Sequence, residues 1–177
     1  MIENKETWIK TGYRIFALEG FREVKIERLA KKVGVSKSSF YHYFADLDTF
    51  FEHLLEHHVE QSRILAEKEH HARNIFPDLI EVLLEHKIDL LFNRELRIHR
   101  SLPVFADALA KSNAIVGVSF VNVWVQELNL RLTPLQLESL FELALENFFL
   151  QINAENLTRQ WLSDYFINLK RIAGNFR

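Results

Sequence analysis

Apolar side chains recur every three or four residues along almost the whole chain, which predicts an all-α fold of about nine helices. In the first 45 residues the spacing predicts three short helices. The first, of about 15 residues, is expected to end at Gly20 in a left-handed conformation. The second is expected to run from Ile26 to a stop at Gly34. The third is expected to be capped by the hydroxyl of Ser36 and to run through His42.

The remaining residues continue the helical spacing. Their helices are predicted to start at Asp46 or Asp48, near Pro77, near Pro103, at Ala114 and at Thr133, with a last one over residues 161–172. Residues 116–125 are rich in β-branched side chains that almost alternate, so a strand competes there, although the length of the run favours a buried helix. Thr133, Pro134 and Gln136 form a strong helix start, with an N-cap residue, a proline at the first position and a glutamine at the third.

The composition indicates a globular protein. Hydrophobic residues make up 48% of the chain and aromatic residues 12%, which is enough for a sizeable core. The sequence contains no Cys, which excludes disulfides, thiolate zinc sites and cysteine nucleophiles. Met1 leads into a charged segment rather than the apolar core of a signal peptide, and the longest apolar run, residues 114–125, is shorter than the roughly 20 residues of a membrane span. We therefore expect a cytoplasmic protein that makes no membrane contact.

The charge is distributed unevenly. The net charge of −2 combines nine Lys and Arg against five Glu in residues 1–45, a net of +4, with 13 against 19 in the remainder, a net of −6. This asymmetry favours a head that faces nucleic acid and an acidic body that phosphate repels.

Two short helices joined by a tight turn are predicted between residues 26 and 44. Ala30 is small where the helices approach each other, Gly34 permits the turn, and Val35 and Phe40 close a small core. The third helix then exposes a polar surface that contains no carboxylate: Lys37, Ser38, Ser39, Tyr41 and His42. Such a surface offers donors to base edges in the major groove and to the phosphates beside it, which predicts a helix-turn-helix DNA-binding unit. The alternative is a helical hairpin with a solvated polar face.

After Gly20 the chain reads Ile26-x-x-Leu29-Ala30-x-x-x-Gly34-Val35-Ser36-Lys37-x-x-Phe40-Tyr41-x-Tyr43-Phe44, followed by an acidic helix start. This motif resembles the N-terminal domain of the tetracycline-repressor (TetR) family, closely over about residues 5–55. The resemblance implies a helix-turn-helix DNA-binding domain over residues 1–47 and an effector-binding and dimerisation domain over residues 48–177. It also implies a ligand-responsive repressor that binds a near-palindromic operator in double-stranded DNA as a homodimer, without a cofactor or a metal.

The family's pattern assigns DNA contacts residue by residue. Base or groove contacts are implied for Lys37, Ser38 and His42, phosphate contacts for Ser39, Tyr41 and Tyr43, and further contacts for Ser36 and for Lys25 at the start of the second helix. Three positions depart from the family: Lys25 replaces a common Ser or Thr, Glu27 stands where a basic residue is common, and Leu47 replaces a common Lys. These departures predict a modest affinity or an unusual operator.

The family also implies a dimer interface on the last two helices and an effector cavity among the middle ones. The apolar stripes of the last two helices are wider than one neighbouring helix covers, which favours a symmetric four-helix bundle over an ordinary core. The predicted interface residues are Phe141, Ala144, Phe148, Trp161, Tyr165 and Leu169. An unidentified small-molecule effector is expected to contact His86, His99, Phe105, Phe120 and Trp124.

Two other functions compete with this interpretation. His53, Glu56 and His57 fit the H-x-x-E-H pattern of zinc hydrolases, which needs a further ligand and a cleft. The second alternative is a protein-binding adaptor that keeps the fold and has lost DNA binding, with which Glu27 and Leu47 agree.

Overall fold

The computed structural model of this protein describes residues 4–128 and 133–174, except for the side chains of residues 118–122, 124–126, 128, 134, 137, 173 and 174. These residues form nine α-helices and no strand, which confirms the all-α fold. The helices are α1 (Lys5–Glu19), α2 (Ile26–Val33), α3 (Lys37–Phe40), α4 (Leu47–His71), α5 (Ile80–Glu85), α6 (Lys87–Ile98), α7 (Pro103–Leu128), α8 (Pro134–Gln151) and α9 (Arg159–Gly174). A 3₁₀ turn over Phe21–Glu23 follows α1, and a π-helical turn over Ile75–Leu79 precedes α5.

Most predicted helix ends are confirmed because their signals are local. Gly34 is left-handed, with φ 86° and ψ 29°, and its N–H donates to the carbonyl of Ala30 at 2.9 Å. Asp46 caps α4 by accepting the N–H of Thr49 at 2.8 Å. At the start of α8 Thr133 and Gln136 form a reciprocal capping box.

Two details of the first three helices differ from the prediction. Gly20 has a positive φ of 97°, but its ψ of 156° leaves the chain extended rather than left-handed, so the next N–H, of Phe21, donates to Glu95 Oε1 on α6 at 3.1 Å. The third helix ends at Phe40 and residues 41–43 form a turn. Ser36 occupies the N-cap of α3, but its hydroxyl contacts Ser38 Oγ at 2.7 Å rather than a helix N–H.

The body is divided differently from the prediction. Residues 103–128 form one helix instead of two, and the competing strand over 116–125 is wrong. The polar triplet at 111–113 looks like a loop in sequence, but Ser112 lies buried in the helix and contacts Ser62 Oγ at 2.8 Å. Conversely, the helix predicted from Pro77 is interrupted at His86, whose buried Nδ1 lies 2.7 Å from Asp89 Oδ2.

Two hydrophobic clusters hold the helices together. One is formed by α1–α3, the start of α4 and parts of α6 and α7, and the other by the end of α4 with α5, α6, α8 and α9. In the first cluster Phe92 of α6 stacks on Phe16 at a centroid distance of 3.9 Å and on Tyr13 at 4.2 Å. Apolar contacts therefore run continuously from the first helices into the body, across residue 47.

Candidate nucleic-acid interface

The helices α2 and α3, which the turn at residues 34–36 joins, are held against the core by the apolar side chains on their inner faces. Leu29 and Ala30 of α2 and Phe40 of α3 are buried, and the Phe40 ring meets Trp8 edge-on at 5.5 Å. Phe44, which directly follows the turn at residues 41–43, packs on Phe40 at a centroid distance of 5.0 Å. Because the apolar side chains of this short segment point inward, its polar side chains are left on the outer surface.

The structure places the predicted DNA-contacting side chains on that outer surface. Ser39 is half-buried, and the others are exposed: Lys25, Ser36, Lys37, Ser38, Tyr41, His42 and Tyr43. The rings of Tyr41 and Tyr43 are 58% and 37% exposed, which is unusual for large aromatic residues that have an intramolecular packing role alone. Residues 36–43, which we call the recognition segment, contain no carboxylate.

The two lysines of this surface have acidic neighbours. Lys37 Nζ donates to Glu27 Oε1 at 2.7 Å, and this hydrogen bond, followed by the charges of Lys37 and Lys25, lowers the pKa of Glu27. Lys25 Nζ lies 3.8 Å from a carboxylate oxygen of Glu23. Glu27 therefore has a cationic partner within the protein, a contact that its position in the sequence did not reveal.

Two further basic residues of α2, Arg28 and Lys32, form ion pairs within the head. Arg28 pairs with Glu19 and with Glu23, and Lys32 Nζ lies 2.8 Å from Glu19. Their charges are balanced by α1 and the turn that follows it. Such ion pairs are typical of helix-surface residues.

Comparison with known proteins identifies this region. Residues 9–54 match the family model described as bacterial regulatory proteins, tetR family. The predicted helix-turn-helix head is thus similar to the tetR family over residues 9–54.

Two curated relatives are similar to part of this chain. The chain is 36% identical over 62 residues to the uncharacterized HTH-type transcriptional regulator YerO of Bacillus subtilis (strain 168), a match that covers 35% of this chain and 22% of the relative. It is 29% identical over 66 residues to the uncharacterized HTH-type transcriptional regulator YdgC of the same organism, which covers 37% of this chain and 34% of that relative. The chain thus spans about a fifth to a third of the length of these relatives.

Behind the head, the structure separates the residues that were predicted to contact an effector. His86 is buried against Asp89, His99 lies 3.2 Å from Glu95 Oε1, and Phe105 is buried among Phe16 and Phe21. The side chains of Phe120 and Trp124 lie outside the described residues. His86, His99 and Phe105 are therefore held by other neighbours and do not line one common cavity.

A small cavity, which we call the central cavity, lies between α4, α6, α7 and α8, and different residues line it. Its polar lining includes His58 and Ser62 of α4, Asn93 of α6 and Ser112 of α7. About 40 Å³ is open to water-sized molecules, which holds a few atoms but is well below the roughly 300 Å³ of a drug-sized pocket. The signal for it in the sequence is a stripe of polar residues on α4, His58, Ser62 and Glu69, at a helical spacing that would bury them.

The residues predicted for the dimer interface are mostly packed against the chain's own core. Ala144, Phe148 and Tyr165 are buried inside the chain's own core, and the Tyr165 hydroxyl donates to the carbonyl of Ala144 at 2.8 Å. Phe141, Trp161 and Leu169 are half-buried against the same core. The apolar side chains that α8 and α9 leave exposed are others: Leu135, Leu143, Leu150, Ile167 and Ile172.

The two histidines of the zinc-hydrolase motif on α4 contact neighbouring side chains of the protein. His53 accepts a hydrogen bond from Lys5 Nζ at 2.9 Å and contacts Glu56 at 3.1 Å, while His57 packs edge-on against Tyr13. Within residues 4–128 and 133–174, the described side chains form no group of three His, Asp or Glu that fits a metal ion. Nor does this part of the chain contain a helix long and apolar enough to cross a membrane.

Proposed function

We propose that this protein is a transcription regulator that binds a near-palindromic operator as a homodimer and releases it in response to a small molecule. The observation that carries the proposal is the recognition segment. It presents hydroxyl, imidazole, ammonium and phenol groups without a carboxylate, on a head with a buried apolar core. Donors of this kind suit base edges and phosphates in the major groove.

The exposed apolar side chains of the last two helices support the homodimer. Leu143 and Leu150 of α8 are 71% and 73% exposed, and Ile167 and Ile172 of α9 are 55% and 50% exposed. Leu143 and Leu150 lie seven residues apart, and so on one side of their helix. A second copy of the same two helices buries these side chains in a four-helix bundle, and it supplies a second head for the second half-site.

The central cavity supports the response to a small molecule. Its walls come from α4, which begins in the head, and from α6, which packs on α1. A ligand that forces these helices apart changes the separation of the two heads in the dimer. Because the half-sites are fixed in the DNA, a shift of a few ångströms lowers the affinity for the operator.

Selection of bound fragments from random DNA tests the proposal. We expect recovery of a near-palindromic site, and we expect Lys37→Ala to lower the affinity for that site more than for random DNA, because a base contact carries sequence preference. Tyr41→Ala should lower both affinities, because it removes a phosphate contact and a packing ring.

Lys111→Ala is the matched control, since Lys111 is a similarly exposed lysine paired with Asp107, on α7. It should bind both DNAs as the wild type does. Recovery of no sequence, with no salt-sensitive DNA binding, would contradict the proposal and favour the adaptor. Equal losses on both DNAs for Lys37→Ala would contradict the role of that residue.

A further inference from the structure

The central cavity is lined by a histidine, His58, with a ring nitrogen that has no hydrogen-bond partner among the described residues. Apart from the polar residues named above, its walls are mostly aliphatic and aromatic, including Leu65, Leu83, Leu90, Val116, Phe148 and Phe149. His58 is 1% exposed and lines the cavity, and its Nε2 atom has no hydrogen-bond partner among the described residues. A buried polar atom without a partner is unfavourable unless a ligand or water supplies one.

The protonation of His58 follows from its neighbours. Tyr13 donates its single hydroxyl hydrogen to Asp89 Oδ1 at 2.9 Å, and the same hydroxyl lies 2.8 Å from His58 Nδ1. Because the hydroxyl hydrogen is used by Asp89, His58 Nδ1 must be the donor in the second contact. Burial lowers the pKa of His58 to about 4, so the ring is neutral near pH 7 and carries its one proton on Nδ1. Nε2 is then a buried hydrogen-bond acceptor, without a partner among the described residues, on a side chain that lines the cavity.

Nearby hydroxyl groups do not compete for this acceptor. Ser62 donates to the carbonyl of His58 at 2.8 Å, which leaves its oxygen to accept from Ser112 at 2.8 Å. Asn93 Nδ2 in turn donates to Ser112 Oγ at 3.1 Å. Both serine hydrogens are therefore engaged within the protein.

The charges of the residues that line the cavity also favour a ligand that donates a hydrogen bond and carries no negative charge. The described lining includes the carboxylates Glu69 and Asp89 and no Lys or Arg. An anionic ligand would meet two carboxylates and an imidazole lone pair at low dielectric. A neutral group with an O–H or N–H meets an acceptor instead.

We propose that the cavity binds a small, largely apolar, non-anionic molecule whose hydroxyl or N–H group donates a hydrogen bond to His58 Nε2. This inference rests on the proposed function, in which the cavity is the effector site, and it specifies the chemistry of the effector. Tyr13 is the positioning residue, because its hydroxyl fixes the proton of His58 on Nδ1. Since Tyr13 belongs to α1, the ligand-binding imidazole of His58 is hydrogen-bonded directly to a helix of the head.

The experiment uses the full-length chain and no DNA. Long-range ¹H–¹⁵N NMR of labelled protein, with His58→Gln to assign the resonances, should show His58 protonated on Nδ1 near pH 7. Three probes with three heavy atoms each then distinguish the ligand classes: ethanol donates a hydrogen bond, acetonitrile only accepts, and formate is an anion. Ethanol should shift the His58 Nε2 resonance in a saturable manner, and acetonitrile and formate should not.

Tyr13→Phe provides the matched variant, since it keeps the ring that stacks on Phe92 and removes only the hydroxyl. It should move the His58 proton away from Nδ1 and weaken the ethanol response several-fold, an effect that a merely structural role of the ring does not produce. A wild-type His58 protonated on Nε2, an equal response to acetonitrile or formate, or no response to ethanol would overturn the inference. Failure here leaves the DNA-binding proposal standing, and failure to recover an operator leaves the chemistry of the cavity standing.

Discussion

The head, residues 5–54, and the body that follows it bury different kinds of side chain. In the head the described core consists of aliphatic and aromatic side chains. They include Trp8, Phe16, Phe40 and Phe50, together with Tyr13. Every described residue that is both buried and polar or charged lies in the body: His58, Ser62, Glu69, His86, Asn93, Arg97 and Ser112. An apolar, close-packed core holds one geometry, whereas hydrogen-bonding groups around a cavity can exchange partners when a ligand arrives. The head is thus suited to present a fixed surface and the body to respond.

The largest expected effect comes from opening the head core. Phe16→Ala should lower the free energy of unfolding by about 3–5 kcal/mol, because the ring is fully buried and stacks on Phe92. Urea unfolding followed by circular dichroism measures this. Leu18→Ala, on the same helix but 41% exposed, should change the free energy of unfolding by less than about 1 kcal/mol. Equal effects of the two substitutions would contradict the description of the head core.

Acid should destabilise the body through His58. Burial lowers the pKa of His58 in the folded protein to about 4, against about 6.5 in an unfolded chain. As the pH falls from about 6.5 towards 4, the unfolded state takes up a proton that the folded state does not, so folding becomes less stable by up to about 1.4 kcal/mol per pH unit. This contribution is fully present above pH 6.5.

Urea unfolding at several pH values separates this contribution from that of other groups. His58→Gln should show a shallower loss of stability between pH 6.5 and 4 than the wild type. His70→Gln, exposed on the same helix, is the control and should follow the wild type. If the free energy of unfolding of His58→Gln falls with pH as steeply as that of the wild type, the assignment of a neutral, buried imidazole to His58 is wrong.

A smaller effect is expected from the serine that links α4, α6 and α7. Ser112→Ala removes the acceptor of Asn93 and the partner of Ser62, and should lower the free energy of unfolding by about 1 kcal/mol. Ser139→Ala, at an exposed site on α8, should change it by less than about 0.5 kcal/mol. Thermal or urea unfolding of the two variants makes the comparison, and a stabilised Ser112→Ala would show that these polar contacts do not support the body.

The smallest expected effect lies on the surface of the head. Glu27→Gln frees Lys37 from its carboxylate, so binding to random-sequence duplex DNA should gain about one ion pair, and the slope of log K against log salt should steepen by about 0.9. Fluorescence anisotropy at several salt concentrations measures the slope. Glu60→Gln, which breaks an equally exposed pair with Arg63 on α4, should leave it unchanged.

A double-mutant cycle assigns the cause of that change. In a Lys37→Ala background, Glu27→Gln should no longer steepen the slope if the effect comes from freeing Lys37. An undiminished effect would mean that Glu27 acts by repelling phosphate directly.

The head could be predicted from sequence to a large extent because its signals are short-range. Gly34 and Asp46 act within four residues of their partners, and the outward direction of Lys37 and Tyr41 follows from the burial of Phe40 between them. The pairing of Lys37 with Glu27 was missed, since it depends on how closely α3 approaches α2.

The body was predicted less well because its determinants are long-range. Ser112 looks like part of a loop until Ser62 and Asn93, 50 and 19 residues away in sequence, are placed beside it. The apolar stripe of α8 likewise predicts burial without showing which residues the chain itself buries. Ala144 and Phe148 are buried in the core, whereas Leu143 and Leu150 are exposed.

The salt dependence of duplex binding by the wild-type protein and by Tyr41→Ala tests the central claim most directly, that the recognition segment binds DNA. For the wild type, log K for duplex DNA should fall linearly with log salt, and Tyr41→Ala, which lacks an exposed phenol of that segment, should bind the same duplex more weakly at every salt concentration. Wild-type binding that is absent or insensitive to salt, or a Tyr41→Ala protein that is folded and binds as tightly as the wild type, would contradict it.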